Sequence, residues 1–432
     1  MKTGMRHDVS RDFEWTEVGM GKVTRARVTG VALVVVASLG LAACGSDGDG
    51  GKPQFVSGTA AGASPSPTAP AEPLVLTVTP ADGARKQPVS TEIGTKVTGG
   101  KITDVTLTVA GGGAVKGEMR EDGSSWVPAA PLQYGKTYTA TVTATAPGGQ
   151  TETRTTTFTT MAKPKSVIGS GLYLFDDKTY GVAMPVVVEF SPGIKKKDRA
   201  TVQRRMFVKT DPPQPGVWHW VDNGTQAYYR APQYWQPGTR LTVRIALEGI
   251  PLSNGRYGNV DRKATAKIGS RFEMKVDNKT KKMSVYEDGK LIRTMPVSLG
   301  KKSTPSSSGT MVVMEKKEST VFDTRDDPNP ANRYVTNIDF AQRLTWGGEY
   351  IHAAPWSVDA QGRRNVSHGC VNVSTPNARW LFERTKIGDP VTITGTERKL
   401  APGNGWTAWN HTWQEFIKGS ALPVPPELRA AG

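Results

Sequence analysis

The chain has 432 residues, a formal net charge of +16 and only two cysteines, Cys44 and Cys370. Two cysteines cannot frame a disulfide-built scaffold, and no P-loop or strand-following G-x-G-x-x-G marks a nucleotide site. The positive excess favours anionic partners, yet no aromatic-rich basic motif for nucleic acid is present, which leaves wall and membrane carboxylates and phosphates outside a cell.

Near the N-terminus, Lys22, Arg25 and Arg27 precede the apolar run Val31–Leu39 and then small residues. The run is too short to cross a bilayer, so the pattern predicts an export signal, residues 1–43. Its ending, Leu41-Ala42-Ala43-Cys44, resembles a bacterial lipobox. That resemblance implies cleavage before Cys44, a diacylglycerol on its sulfur, and a chain anchored on the outer face of the membrane, facing the wall. Residues 1–19 fit no signal pattern, so translation starts at Met1 or at Met20. Residues 44–72 are almost all Gly, Ser, Ala, Pro, Thr and Asp, which predicts a flexible tether.

A mostly β architecture follows. Over 73–160, Leu74–Val78, Val105–Val109, Tyr138–Val142 and Thr155–Thr160 read as short strands punctuated by Gly and Pro, a β-sandwich of immunoglobulin-like size. Residues 161–266 echo the first unit. An aromatic, a Pro-rich turn, a Gly and an alternating strand begin at Trp126 and recur from Tyr229. The expectation is two tandem sandwiches. A third strand-rich unit, 267–395, opens near Ile268 with F-E-M-K-V and M-S-V-Y, then a tight turn at E-D-G-K. One helix fits Pro376–Thr385, opened by Ser374 or Thr375. In the extension 396–432, Trp406, Trp409, Trp413 and Phe416 fall on one face of a helix, expected to dock on the third unit or the second sandwich.

If Cys44 is lipidated, Cys370 is the one free thiol of the mature chain. Oxidising compartments pair idle thiols or remove them, so a lone one is either well buried or chemically employed. Two of the five histidines, His352 and His368, lie close to it in sequence. An imidazole beside a thiol raises the thiolate fraction and can later protonate a leaving amine. His368-Gly369-Cys370 also offers a run of backbone N–H groups suited to an oxyanion. A zinc site built from Cys370, His368 and His352 is the other arrangement these residue types allow, although no C-x-x-C or H-x-x-x-H pair completes it.

The pattern His352, a loop, then Ser367-His368-Gly369-Cys370-Val371-Asn372 resembles the signature of L,D-transpeptidases. The segments P-V-S-L-G and T-P-S-S-S-G resemble that family's catalytic domain, and the two sandwiches, lipobox and aromatic extension resemble its actinobacterial members. The resemblance implies a peptidoglycan-remodelling enzyme. Cys370 would attack the carbonyl between the third stem residue and the terminal D-alanine of a tetrapeptide. The thioester would then pass to the diaminopimelate amine of a neighbouring stem. His352 would be general base and acid, oriented by the carbonyl of Ala353, where many members carry serine. His368, Gly369 and Cys370 would supply oxyanion donors, and Ser367 belongs to the same motif. Tyr334 and Trp356 match substrate-side positions and Asn372 a supporting one. Carbapenems would be inhibitors, and no cofactor or metal is implied. The same residues would serve an L,D-carboxypeptidase, and a non-catalytic wall-binding lipoprotein is the alternative of a different class.

Cells fed labelled palmitate are expected to label the wild-type chain and not Cys44→Ala. Equal labelling of both removes the lipoprotein expectation.

Overall fold

The computed structural model describes residues 72–325, 330 and 333–431. The expected export signal, Cys44 and the tether up to residue 71 lie outside the described residues.

The described chain packs around three successive hydrophobic cores. In the first sandwich, strands 75–79, 93–98, 125–128 and 117–119 form one four-stranded sheet. Strands 84–87, 151–160, 137–145 and 101–109 form the other. Strand alternation sends Tyr138, Ala140, Val142 and Ala144 into the core. The outward residues Thr137 to Thr145 stand directly opposite Thr159 to Thr151, and hydroxyl pairs such as Thr143–Thr153 close at 3.0 Å. Such cross-strand threonine pairs each stabilise a sheet modestly.

The second sandwich repeats the plan, as the sequence echo predicts. Ser125–Pro128 leads to Thr137–Thr145 in the first, and Gln226–Arg230 leads to Arg240–Ala246 in the second. The seam between the sandwiches is polar. Glu92 of the first accepts from Arg120 at 2.6 Å and pairs with Arg205 of the second. Arg244 of the second donates to the Pro128 carbonyl of the first at 2.6 Å.

The third unit stacks two sheets. One has six strands in the order 290–296, 282–287, 272–277, 390–394, 307–312, 398–399; the other orders 315–323, 335–343, 350–353, 371–373. Asp288 and Gly289, both at positive φ, make the tight turn between Lys282–Glu287 and Lys290–Pro296. A helix, Thr375–Arg384, follows the last strand of the smaller sheet, starts at Ser374 and buries Ala378 and Leu381.

The C-terminal extension differs from the single helix that its aromatic spacing predicts. Thr407–Asn410 is one 3-10 turn, His411 is extended, and a new helix runs Trp413–Ile417. Two competitors win. Thr412 and Glu415 form a capping box that starts a helix at that point. Arg230, buried in the second sandwich, donates to the Ala408 and His411 carbonyls that a continuous helix would use internally. Its guanidinium lies 4.3 Å from the ring centres of Trp409 and Phe416. The aromatics thus complete the core of the second sandwich, while Asn410 Oδ1 accepts from Thr310 N–H of the six-stranded sheet at 3.4 Å.

Burial alone would raise the Glu92 carboxyl, but bonds from Arg120 and Ser125 and the charges of Arg205 and Arg120 bring it down to about 2. A depressed carboxylate adds stability above its unfolded pKa and loses it as pH falls through the folded value. Glu92→Gln is therefore expected to cost roughly 2–3 kcal/mol at neutral pH. In denaturant titrations the gap to wild type should close as pH approaches about 2. A gap that persists there contradicts an ionic seam.

Candidate active site

Parallel pairing positions the site. Tyr350–Ala353 runs beside Val371–Val373 with His352 opposite Asn372, so Cys370 sits just before the strand. His352, Cys370, Ser367, His368, Tyr334, Trp356 and Asn372 all line one cleft of about 680 Å³. Ala353 is buried beside it.

The turn before the thiol is tied internally. The Gly369 N–H donates to Ser367 Oγ at 3.1 Å, and that hydroxyl donates to the Cys370 carbonyl at 2.7 Å. Ser306 Oγ donates to the Gly369 carbonyl at 2.6 Å. Gly369 has φ +128°, a backbone state that side chains disfavour. The Gly369 N–H, expected among the oxyanion donors, is thus directed at Ser367 in this resting arrangement.

His352 is 3% exposed. Its Nδ1 donates to the Ala353 carbonyl at 2.8 Å, which leaves Nε2 as the lone-pair nitrogen of the neutral ring. The ring lies 5.8 Å from Phe322 and 6.0 Å from Trp356, centre to centre. Burial lowers its pKa, while the Ala353 carbonyl and the Asn372 side chain pull the other way. Asn372 Nδ2 also donates to Ser357 Oγ at 3.1 Å, a bond that braces the loop after His352.

The thiol is turned differently from the thiol–imidazole pair that the motif suggests. Cys370 Sγ donates to the Gly348 carbonyl at 3.6 Å. Burial pushes the thiol up to about 12, the Tyr350 N–H opposes that, and the Glu349 carboxylate adds to it. A neutral thiol on a carbonyl costs less in a dry site than a thiolate. His368 faces Tyr334, ring centres 5.1 Å apart, and its Nε2 accepts from Lys301 at 3.0 Å. Burial raises the Tyr334 hydroxyl, and the charge of a Cys370 thiolate raises it further. Trp356 stands exposed at the mouth.

Sequence reasoning passed over Gly348, Glu349 and Tyr350, which surround the sulfur. The double glycine in T-W-G-G-E-Y is a turn signal directly ahead of I-H and could have drawn attention to it.

A buried thiol, an imidazole held in one tautomer and a turn rich in backbone amides are the groups that acyl transfer through sulfur requires. Residues 84–251 match the bacterial Ig domain family, and residues 271–393 match the L,D-transpeptidase catalytic domain family. L,D-transpeptidase 2 of Mycobacterium tuberculosis is 32% identical over 94% of this chain and 98% of its own length. L,D-transpeptidase 5 of the same species is 34% identical over 82% of this chain and 79% of its own. A solved L,D-transpeptidase in complex with imipenem shares 32% identity, covering 54% of this chain and 100% of that one, with a TM-score of 0.45. The chain belongs to the L,D-transpeptidase family and carries its catalytic domain behind immunoglobulin-like sandwiches.

A Cβ on Gly369 would meet Glu349 Cγ at 3.6 Å and Arg398 Nη2 at 3.8 Å, which is ordinary contact. The penalty of Gly369→Ala therefore comes from φ alone, about 1–3 kcal/mol. Thermal unfolding should show that loss as a lowered melting temperature. An unchanged melting temperature would contradict the strained turn.

Proposed function

We propose that this enzyme cross-links the third residues of two peptidoglycan stems, with Cys370 as nucleophile. The observation that carries the proposal is the strand pairing that brings Cys370 and His352 into one cleft, with the imidazole anchored through Nδ1 on the Ala353 carbonyl.

The thiol leaves the Gly348 carbonyl by rotating about its Cα–Cβ bond, and His352 Nε2 takes its proton. The sulfur attacks the carbonyl that joins the third stem residue to D-alanine. The backbone N–H groups of His368 and Cys370 receive the developing oxyanion, joined by that of Gly369 once it leaves Ser367 Oγ. The C–N bond breaks as imidazolium returns its proton to the leaving amine, which releases D-alanine and leaves a thioester. The side-chain amine of a second stem's diaminopimelate then attacks, the C–S bond breaks, and the proton reaches sulfur through the same imidazole. Tyr334 and Trp356 flank the substrate, and His368 acts mainly through its backbone. The cationic surface suits an anionic wall. A lipid on Cys44 would hold the enzyme on the outer membrane face, with the tether letting it reach the wall. Carbapenems acylate the same sulfur, because their strained carbonyl takes the place of the donor's.

Intact-mass measurement should find one carbapenem adduct per wild-type chain, located on Cys370. Cys370→Ala should form none and Cys370→Ser almost none. His352→Ala should slow acylation by roughly 10²–10⁴, and His368→Ala by less. The rate should rise with pH through the macroscopic pKa values of the Cys370–His352 pair. With tetrapeptide stems, muropeptide dimers are expected; tripeptides alone would make the enzyme a carboxypeptidase. If neither histidine matters, the catalytic assignment fails.

A further inference from the structure

The turn that holds the resting thiol is itself held by a buried carboxylate. Glu349 is 4% exposed. It accepts from the Ser307 N–H at 3.2 Å, from the Ser307 hydroxyl at 2.8 Å, and from the Arg398 guanidinium. Its chain neighbours are the two groups that contact the sulfur: the Gly348 carbonyl accepts the thiol, and the Tyr350 N–H faces it. The turn is closed by Leu344 N–H to the Glu349 carbonyl at 2.8 Å and Glu349 N–H to Thr345 Oγ1 at 3.1 Å. The Glu349–Arg398 pair also packs against Gly369, next to Cys370 in the chain.

Burial is the main force that keeps the thiol protonated, and the Glu349 carboxylate adds to it, so offsetting that charge favours the thiolate. Arg398 is the cation bonded to it, reaching in from the strand Arg398–Lys399 at the far edge of the six-stranded sheet. We infer that Glu349 and Arg398 are a positioning pair for the nucleophile: the carboxylate fixes the Gly348–Tyr350 turn around the sulfur, and the guanidinium cancels its charge against the thiolate. The inference rests on Cys370 being the nucleophile, and it adds two residues outside the H…S-H-G-C-x-N motif.

The test is the rate of iodoacetamide alkylation of Cys370 against pH, on the full chain. Below its midpoint that rate follows the thiolate fraction. Arg398→Gln leaves the Glu349 charge uncompensated and should alkylate about tenfold more slowly at a given pH, equal to about one pKa unit. Arg398→Lys keeps the charge and should match wild type. Glu349→Gln with Arg398→Gln removes both charges while the introduced amide oxygen still accepts from Ser307, and should restore the wild-type profile. His352, His368, Tyr334, Asp359, Arg333 and Arg364 also line the cleft, Tyr350 meets the sulfur through its N–H, and all are common to the variants. The Arg398 side chain is 48% exposed, so its replacement opens no core, and any fall in melting temperature that the unpaired Glu349 carboxylate causes in Arg398→Gln should be recovered in the double variant. A wild-type profile for Arg398→Gln overturns the inference. So does a double variant as slow as Arg398→Gln, which would make the pair a packing element only. Alkylation needs no wall substrate, so its outcome is separate from failure to form cross-links or a carbapenem adduct.

Discussion

The parallel register between Tyr350–Ala353 and Val371–Val373 is the constraint on which the site depends. Side chains alternate along a strand, so a slip of one residue would turn His352 out of the cleft. The register is fixed on both sides. Antiparallel pairing with Val335–Arg343 holds the first strand, and the Ser298 bridge to Asn372 holds the second. Inside the crossover, Ser357 Oγ donates to the Ala354 carbonyl and receives Asn372 Nδ2, so the loop between imidazole and thiol is tied at its start. Asn372 therefore belongs to the frame of the site, whichever face of it the substrate meets.

Burial then governs the protonation states. His352 and Cys370 are both enclosed, and burial disfavours imidazolium and thiolate alike. The resting pair is neutral, with the sulfur on a carbonyl and the ring tied to another. Under the proposed mechanism, charge separation is deferred until a substrate carbonyl and oxyanion donors receive it, which places the donors' effect in the transition state. The same enclosure protects the thiol, because a protonated, buried sulfur reacts poorly with adventitious oxidants.

Much of the fold was legible because its determinants are local. Strand alternation, Gly-punctuated turns and the echo from Trp126 to Tyr229 are short-range patterns, and the strands lie where they point. The histidine and thiol stood out for their rarity and their chemistry. What the sequence concealed depends on distant partners. The aromatic spacing of the extension reads as one helix, but Arg230, far earlier in the chain, takes the carbonyls that helix needs. The thiol's neighbours come from T-W-G-G-E-Y, and Arg398 comes from beyond the last long strand. No periodicity links such residues, and only packing brings them together.

The extension and second sandwich also reach the thiol's surroundings. Asn404 Oδ1 accepts the Gly347 N–H at 2.8 Å, one residue before the carbonyl that receives the thiol. Trp346, in the same turn, lies 6.5 Å from Tyr173 of the second sandwich, ring centre to ring centre, and Tyr173 packs at 5.2 Å against Trp406 of the extension. The Trp406 N–H meets Met314 Sδ at 3.3 Å, back on the catalytic unit. The turn beside the sulfur is thus clamped from three bodies of the chain. The first sandwich has a different place, since the ion pairs it makes across a seam, from Glu92 and Glu118, go to Arg205 and Lys209 of the second. In physical terms the second sandwich and the extension are part of the frame around the thiol, while the first is joined to that frame through its polar seam with the second.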